Sequence, residues 1–270
     1  MSLITGGLRL LLLAALLSRL GSAPVAAASS NEPVACTPPP HHPYPVVLLH
    51  GTMDDSSAWN ILSSKLIADG YCVYTPTYGQ YPTPIPVGAG VAPIAESAVD
   101  VAAYIARVLA VTGAARVDIV GHSQGGTIAE YYAKNLGQAG KVRLQILLAV
   151  ASHGTDLVGA VEVANQVPAL HGIVNQQVLP LFCPACLDLQ RGSGFIRALS
   201  DGRIAQPGVR YAILATRDDV VVTPAGTASF IDEPGVSNQF VQDLSPVRVT
   251  HREMPSNPVV MKWVAAQLSS

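Results

Sequence analysis

The chain has 270 residues, of which 49% are hydrophobic and 13% charged, and its formal net charge is −2. That balance leaves no basic stripe for nucleic acid and supplies enough apolar residues for one substantial core. No internal repeat, heptad pattern or long low-complexity segment is present, so residues 29–270 are expected to form a single, weakly charged, monomeric domain.

In chain order, residues 1–28 carry Arg9, an apolar run from Leu10 to Leu17 and the tract Ala26-Ala27-Ala28, the make-up of a secretory signal peptide. The run is too short to span a bilayer and is followed by Ser18 and Arg19, so export and cleavage near Ala28 are expected rather than membrane anchoring. A Ser/Pro-rich segment, 29–45, follows. Buried strands are predicted at Val46–His50, Cys72–Thr75, Val117–Val120, Leu144–Val150 and Val209–Thr216, with a short strand-like run at Val247–Thr250. Helices are predicted at Ser57–Asp69, ended by Gly70, at Ala95–Val111, at Gly126–Leu136 and at Pro258–Leu268. Residues 76–93, dense in Pro and Gly, read as an irregular loop, and 155–207 as an apolar-rich insertion. This alternation implies an α/β fold, with a mostly parallel sheet covered by helices on both faces and ligands bound beyond the carboxyl ends of its strands.

Exported cysteines are expected to be oxidised, and four of them allow three pairings. Cys36 with Cys72 would tie the start of the mature chain to a strand, and Cys183 with Cys186 would close a tight loop. A zinc site at Cys183-x-x-Cys186 is disfavoured, since no second cysteine pair stands at metal spacing, and no thioredoxin-like context supports a redox role.

The chemistry centres on Gly121-His122-Ser123-Gln124-Gly125, placed between a strand and a helix. With 23 glycines the pattern alone could arise by chance, but in this setting it reads as a nucleophile elbow presenting Ser123 above the sheet edge. A serine needs a base, and the base a carboxylate, in the order serine, acid, histidine. His122 lies inside the elbow and points away, His153 forms at most a wall of the site, and His171 falls in the insertion. His251, after the run Val247–Thr250, is the expected base. The acid lies in Thr216-Arg217-Asp218-Asp219, where one aspartate should meet His251 and the other be solvated or pair with Arg217; the residues alone do not choose. Oxyanion donors are expected from the backbone of Gln124 and of Thr52, with Met53 the alternative, because His50-Gly51-Thr52 directly follows the first strand.

The segments Pro45 to Thr52, Gly70 to Tyr74, Val117 to Gly126 and Cys183-Pro184-Ala185-Cys186 resemble the secreted actinobacterial lipases and esterases of the alpha/beta-hydrolase superfamily, over nearly the whole mature chain. The family's acid segment resembles Thr-Arg-Tyr-Asp-Glu-Val-Val-Thr-Pro, which lays its catalytic aspartate on Asp219 and its tyrosine on Asp218. Relatives often carry a cysteine in the segment matching Gln242 to Pro246, where this chain has Ser245. The resemblance implies an alpha/beta-hydrolase fold with a cap or lid over 155–207, and ester hydrolysis through an acyl-enzyme with no metal or organic cofactor. It also implies an ester or lipid substrate, in solution or at a lipid-water interface. Acyl transfer would use the same residues, and a non-catalytic hydrolase-like binding protein would be expected to lack part of the triad.

Overall fold

The apolar runs become the strands of one sheet in a computed structural model that describes residues 31–156 and 172–270. The expected signal peptide over 1–28 and residues 157–171 of the expected insertion, His171 among them, lie outside the described residues. The strands are β1 (Val46–Leu49), β2 (Val73–Tyr74), β3 (Val117–His122), β4 (Val142–Leu148), β5 (Arg210–Ala215) and β6 (Val236–Phe240). They pair in the order β2-β1-β3-β4-β5-β6, every neighbouring pair parallel. Helices α1 (Asn60–Ala68), α2 (Ile94–Thr112), α3 (Gln124–Lys134), α4 (Pro184–Asp188), α5 (Gly194–Ser200) and α6 (Pro258–Leu268) lie between and after them. This is the alpha/beta-hydrolase architecture.

Side chains alternate along a strand, so a parallel sheet needs cover on both faces. Val47, Leu49, Ile119 and Ile213 pack with Val101, Ile105 and Val108 of α2 and with Ile128 of α3. Val46, Leu48, Val120 and Leu214 pack with Leu62 and Leu66 of α1 and with Val260, Trp263 and Val264 of α6. Each fully buried Leu, Ile or Val contributes roughly 1.5–3 kcal/mol.

Local signals place the helix ends. α6 matches its predicted span because Asn257 accepts the Val259 N–H at 2.9 Å and Pro258 occupies the first turn, where no N–H is needed. α2 stops where Gly113 takes a left-handed φ of 68°. The predicted 57–69 helix divides into a 3-10 turn, Ser56–Trp59, and α1, while α3 begins two residues earlier than predicted.

The sheet edge differs from expectation. Val247–Thr250 forms no strand, and the edge belongs to β6, which pairs with β5 from Tyr211 opposite Val236 to Ala215 opposite Phe240. β6 reads Val-Ser-Asn-Gln-Phe and is only partly buried, as an edge strand can be, so no apolar run announces it.

Both expected disulfides form, Cys36 with Cys72 and Cys183 with Cys186. The first fastens the segment ahead of β1 to the residue before β2, where Tyr74 Oη also donates to the Val34 carbonyl at 3.1 Å. In the insertion, residues 183–201 are bonded to the scaffold. Asp188 accepts the first N–H of α2, from Ile94, at 2.8 Å, and Lys134 of α3 donates to the carbonyls of Leu199 and Asp201 at 2.6 Å each. Phe195 stacks on Tyr131 with ring centres 5.0 Å apart.

Glu130, on α3, is fully buried, and burial pushes its carboxyl up from 4.5 to about 8. Geometry agrees. Ser152 Oγ lies 2.6 Å from Glu130 Oε1 and 3.0 Å from the Ser229 carbonyl, which can only accept, so the single hydroxyl proton goes to Ser229 and a protonated Glu130 donates to Ser152. Between the unfolded and folded values the folded state binds the extra proton, so stability falls as pH rises. Relative to Glu130→Gln, the wild-type thermal midpoint is expected to fall from pH 4.5 to about 8 and to run parallel above that; thermal scans of both proteins across this range check it.

Candidate active site

Ser123 sits at the carboxyl end of β3, directly before α3, with φ 53° and ψ −125°, outside the regions open to most side chains. Its N–H donates to the Leu148 carbonyl at 2.9 Å and its carbonyl accepts from Gly126 N–H at 2.9 Å, so the turn is fastened on both sides. The flanking glycines leave no alternative. A Cβ on Gly121 would stand 2.5 Å from Gly126 N, and one on Gly125 would run into the carbonyls of Leu49 and His50.

His251 begins a 3-10 turn, His251–Glu253, and its Nδ1 lies 2.8 Å from Asp219 Oδ2, both groups being buried. A carboxylate only accepts, so Nδ1 carries the proton and Nε2 is left as an acceptor. Asp219 Oδ1 accepts the N–H groups of Val221 and Val222, each at 2.8 Å. Asp218 is partly exposed and does not pair with Arg217. Its Oδ2 accepts from Gln242 Nε2 at 2.9 Å and from Val249 N–H at 3.1 Å, while Arg217 pairs with Asp243 at 2.7 Å. The two aspartates have separate tasks because neighbouring side chains point apart.

The early loop is braced by His50. Its Nδ1 donates to the Gly51 carbonyl at 2.8 Å and its Nε2 accepts Tyr78 N–H at 3.3 Å, while Tyr78 stacks on the ring at 4.2 Å and donates its hydroxyl to the His50 carbonyl. That pattern requires a neutral imidazole, consistent with burial lowering its pKa. Thr52 follows, and Met53 takes φ 59°. Gln124, as the first residue of α3, has an N–H with no carbonyl a turn earlier to accept it, at the positive end of the helix dipole.

Ser123, His251, Gly51 and Thr52 line one cavity of about 520 Å³, whose apolar walls include Leu189, Val221 and Val222. Cys186 reaches this wall too, so the second disulfide borders the site. His122 also lines it, and donates from Nε2 to the His251 carbonyl at 2.9 Å. Burial, then the neighbouring His251, hold its pKa well below the usual histidine range, so the donor is neutral. His153 turns to the Phe230 carbonyl, at 2.9 Å. The sequence reading missed the contacts made by Asp218 and His122. No spacing relates residue 218 to 249, and alternation along β3 gives no sign that His122 lines the cavity instead of pointing away from it.

The family model for class 2 lipases matches residues 43–263. The chain belongs to the class 2 lipase family. A triacylglycerol lipase of Burkholderia plantarii is 30% identical over 142 residues, which cover 50% of this chain and 36% of that protein, so the chain spans about a third of that relative's length. Among solved structures, Aspergillus fumigatus lipase B superposes with a TM-score of 0.64 at 19% identity, covering 84% of this chain and 52% of that one. Mature Bacillus licheniformis lipase BlEst2 gives 0.62 at 16% identity, over 88% and 96%. These likenesses support the fold of this family member. For the elbow itself, Gly125→Ala is expected to destabilise the protein by about 1–3 kcal/mol, through overpacking against the β1 carbonyls; the midpoint of denaturant unfolding measures it.

Proposed function

We propose that the chain is a secreted carboxylic ester hydrolase acting on esters with apolar acyl chains, lipid esters in particular. Ser123 is the nucleophile, His251 the base and Asp219 its orienting acid. The observation that carries this reading is the 2.8 Å contact from His251 Nδ1 to Asp219 Oδ2 behind a cavity lined by both His251 and Ser123. With Nδ1 committed to Asp219, Nε2 is free to take the Ser123 proton as Oγ attacks the ester carbonyl. The carbonyl oxygen becomes an oxyanion, for which the N–H groups of Gln124 and Thr52 are the donors. Return of the proton from His251 to the alcohol releases it and leaves an acyl-serine. Water then attacks with the same base, releasing the acid and restoring Ser123.

Family membership and the apolar walls at Leu189, Val221 and Val222 support an apolar acyl group. Of the expected cap, 155–207, the described residues Leu189 and Cys186 contribute to the wall of this cavity, which supports that reading of the segment. Export is supported by the signal-like composition of residues 1–28 and by the two disulfides, which suit an oxidising compartment. Among the described residues no helix is long and apolar enough to cross a membrane.

Fluorophosphonate labelling followed by peptide mapping is expected to place the adduct on Ser123, and Ser123→Ala to lower ester turnover by roughly 10⁴- to 10⁶-fold. An adduct on another residue refutes the mechanism. Hydrolysis of p-nitrophenyl esters of rising acyl length, with and without an emulsified interface, is expected to hold its rate into long chains; a steep fall beyond short ones limits the activity to soluble esters.

A further inference from the structure

The segment that delivers His251 has no sheet partner. Residues 247–250 belong to no strand, so no backbone ladder holds them, and yet His251 must meet Ser123 on one side and Asp219 on the other. Side chains of the acid loop take the place of that ladder. Val249, two residues before His251 and fully buried, has both its backbone groups occupied: its N–H donates to Asp218 Oδ2 at 3.1 Å, and its carbonyl accepts from Thr216 Oγ1 at 2.5 Å. Gln242 locks the pair by donating from Nε2 to Asp218 Oδ2 at 2.9 Å and to Thr216 Oγ1 at 3.0 Å. Asp218 N–H also donates to Thr216 Oγ1, at 3.2 Å. Beyond Val249, Thr250 N–H is held by Glu253 within its own turn at 2.8 Å, and the His251 carbonyl by His122.

We infer that Asp218 is a positioning residue, which fixes the backbone ahead of His251 so that the imidazole is aligned with Asp219 and Ser123 together. The inference rests on Ser123 and His251 acting as nucleophile and base. Asp219 orients the ring through its Nδ1, whereas Asp218 sets where the ring starts from, and adjacency in sequence makes the two settings move together. Both bonds to Asp218 fall on a single oxygen, Oδ2, so the role needs one acceptor and no charge. An asparagine carbonyl can supply it. A misplaced imidazole slows proton transfer in both steps and leaves the acyl pocket intact, so the effect belongs in kcat and not in KM.

The test compares wild type, Ser123→Ala, Asp218→Ala and Asp218→Asn of the full chain on p-nitrophenyl butyrate, with thermal midpoints measured alongside. Asp218→Ala is expected to lose about 10- to 100-fold in kcat with KM nearly unchanged, and Asp218→Asn to recover kcat to within about threefold of wild type. Asp218→Ser, whose hydroxyl is too short to reach Val249, gives the same readout as alanine if the alanine variant does not fold. Wild-type kcat in a folded Asp218→Ala, whatever its thermal midpoint, overturns the positioning role while an inactive Ser123→Ala leaves the nucleophile in place. An asparagine variant as slow as alanine overturns it as well, since charge would then be the requirement. Undiminished turnover by Ser123→Ala instead overturns the reading on which the inference rests.

Discussion

Asp219 has two carboxylate oxygens, and both are occupied: Oδ1 gathers the N–H groups of Val221 and Val222, and Oδ2 holds His251. The first pair of bonds folds the loop after β5 back on itself, and the third joins that loop to the one before α6. A buried carboxylate left without such partners would be costly, so the position of the acid and the shape of its loop determine one another. The imidazole inherits its tautomer and its direction from that arrangement. What the remaining structure must do is bring the serine to it.

The parallel sheet does this with close backbone contact. β3 lies between β1 and β4, and α3 leaves it so tightly that Gly125 passes against the carbonyls of β1 and Gly126 against Val150. The strained dihedrals of Ser123 are held there by bonds to Leu148 and Gly126, which rigid neighbours supply. His50 and Tyr78 brace the loop after β1 in a similar way, through a neutral imidazole with both nitrogens engaged. The sheet thus acts as a ruler for three loops.

Much of this was legible in the sequence. Apolar runs marked β1 to β5, and the mechanism that a nucleophile elbow demands pointed to Ser123 and His251, while the resemblance to the lipase family chose Asp219 over Asp218. The two disulfide pairings were also readable, from compartment and spacing. Other features left no local trace. β6 is an edge strand whose exposed and partly buried positions admit Ser, Asn and Gln, so periodicity is silent there. The run Val247–Thr250 has the residues of a strand but is held by side chains from Thr216 and Asp218, an outcome decided by tertiary contact rather than propensity. Between Asp218 and Asp219 local physics is even, because each is an ordinary turn carboxylate until the fold supplies a partner.

The strand order has a consequence for how the site is assembled. Thr52, Ser123, Asp219 and His251 come from four loops, and β1 meets β3 while β2 lies to its other side, so the site depends on pairings between distant stretches of sequence. Pairings of this kind carry the entropy cost of closing long loops. The alignment of these four loops is therefore a property of the whole sheet, set by the registers of β1 with β3 and of β4 with β5 as much as by the loops themselves.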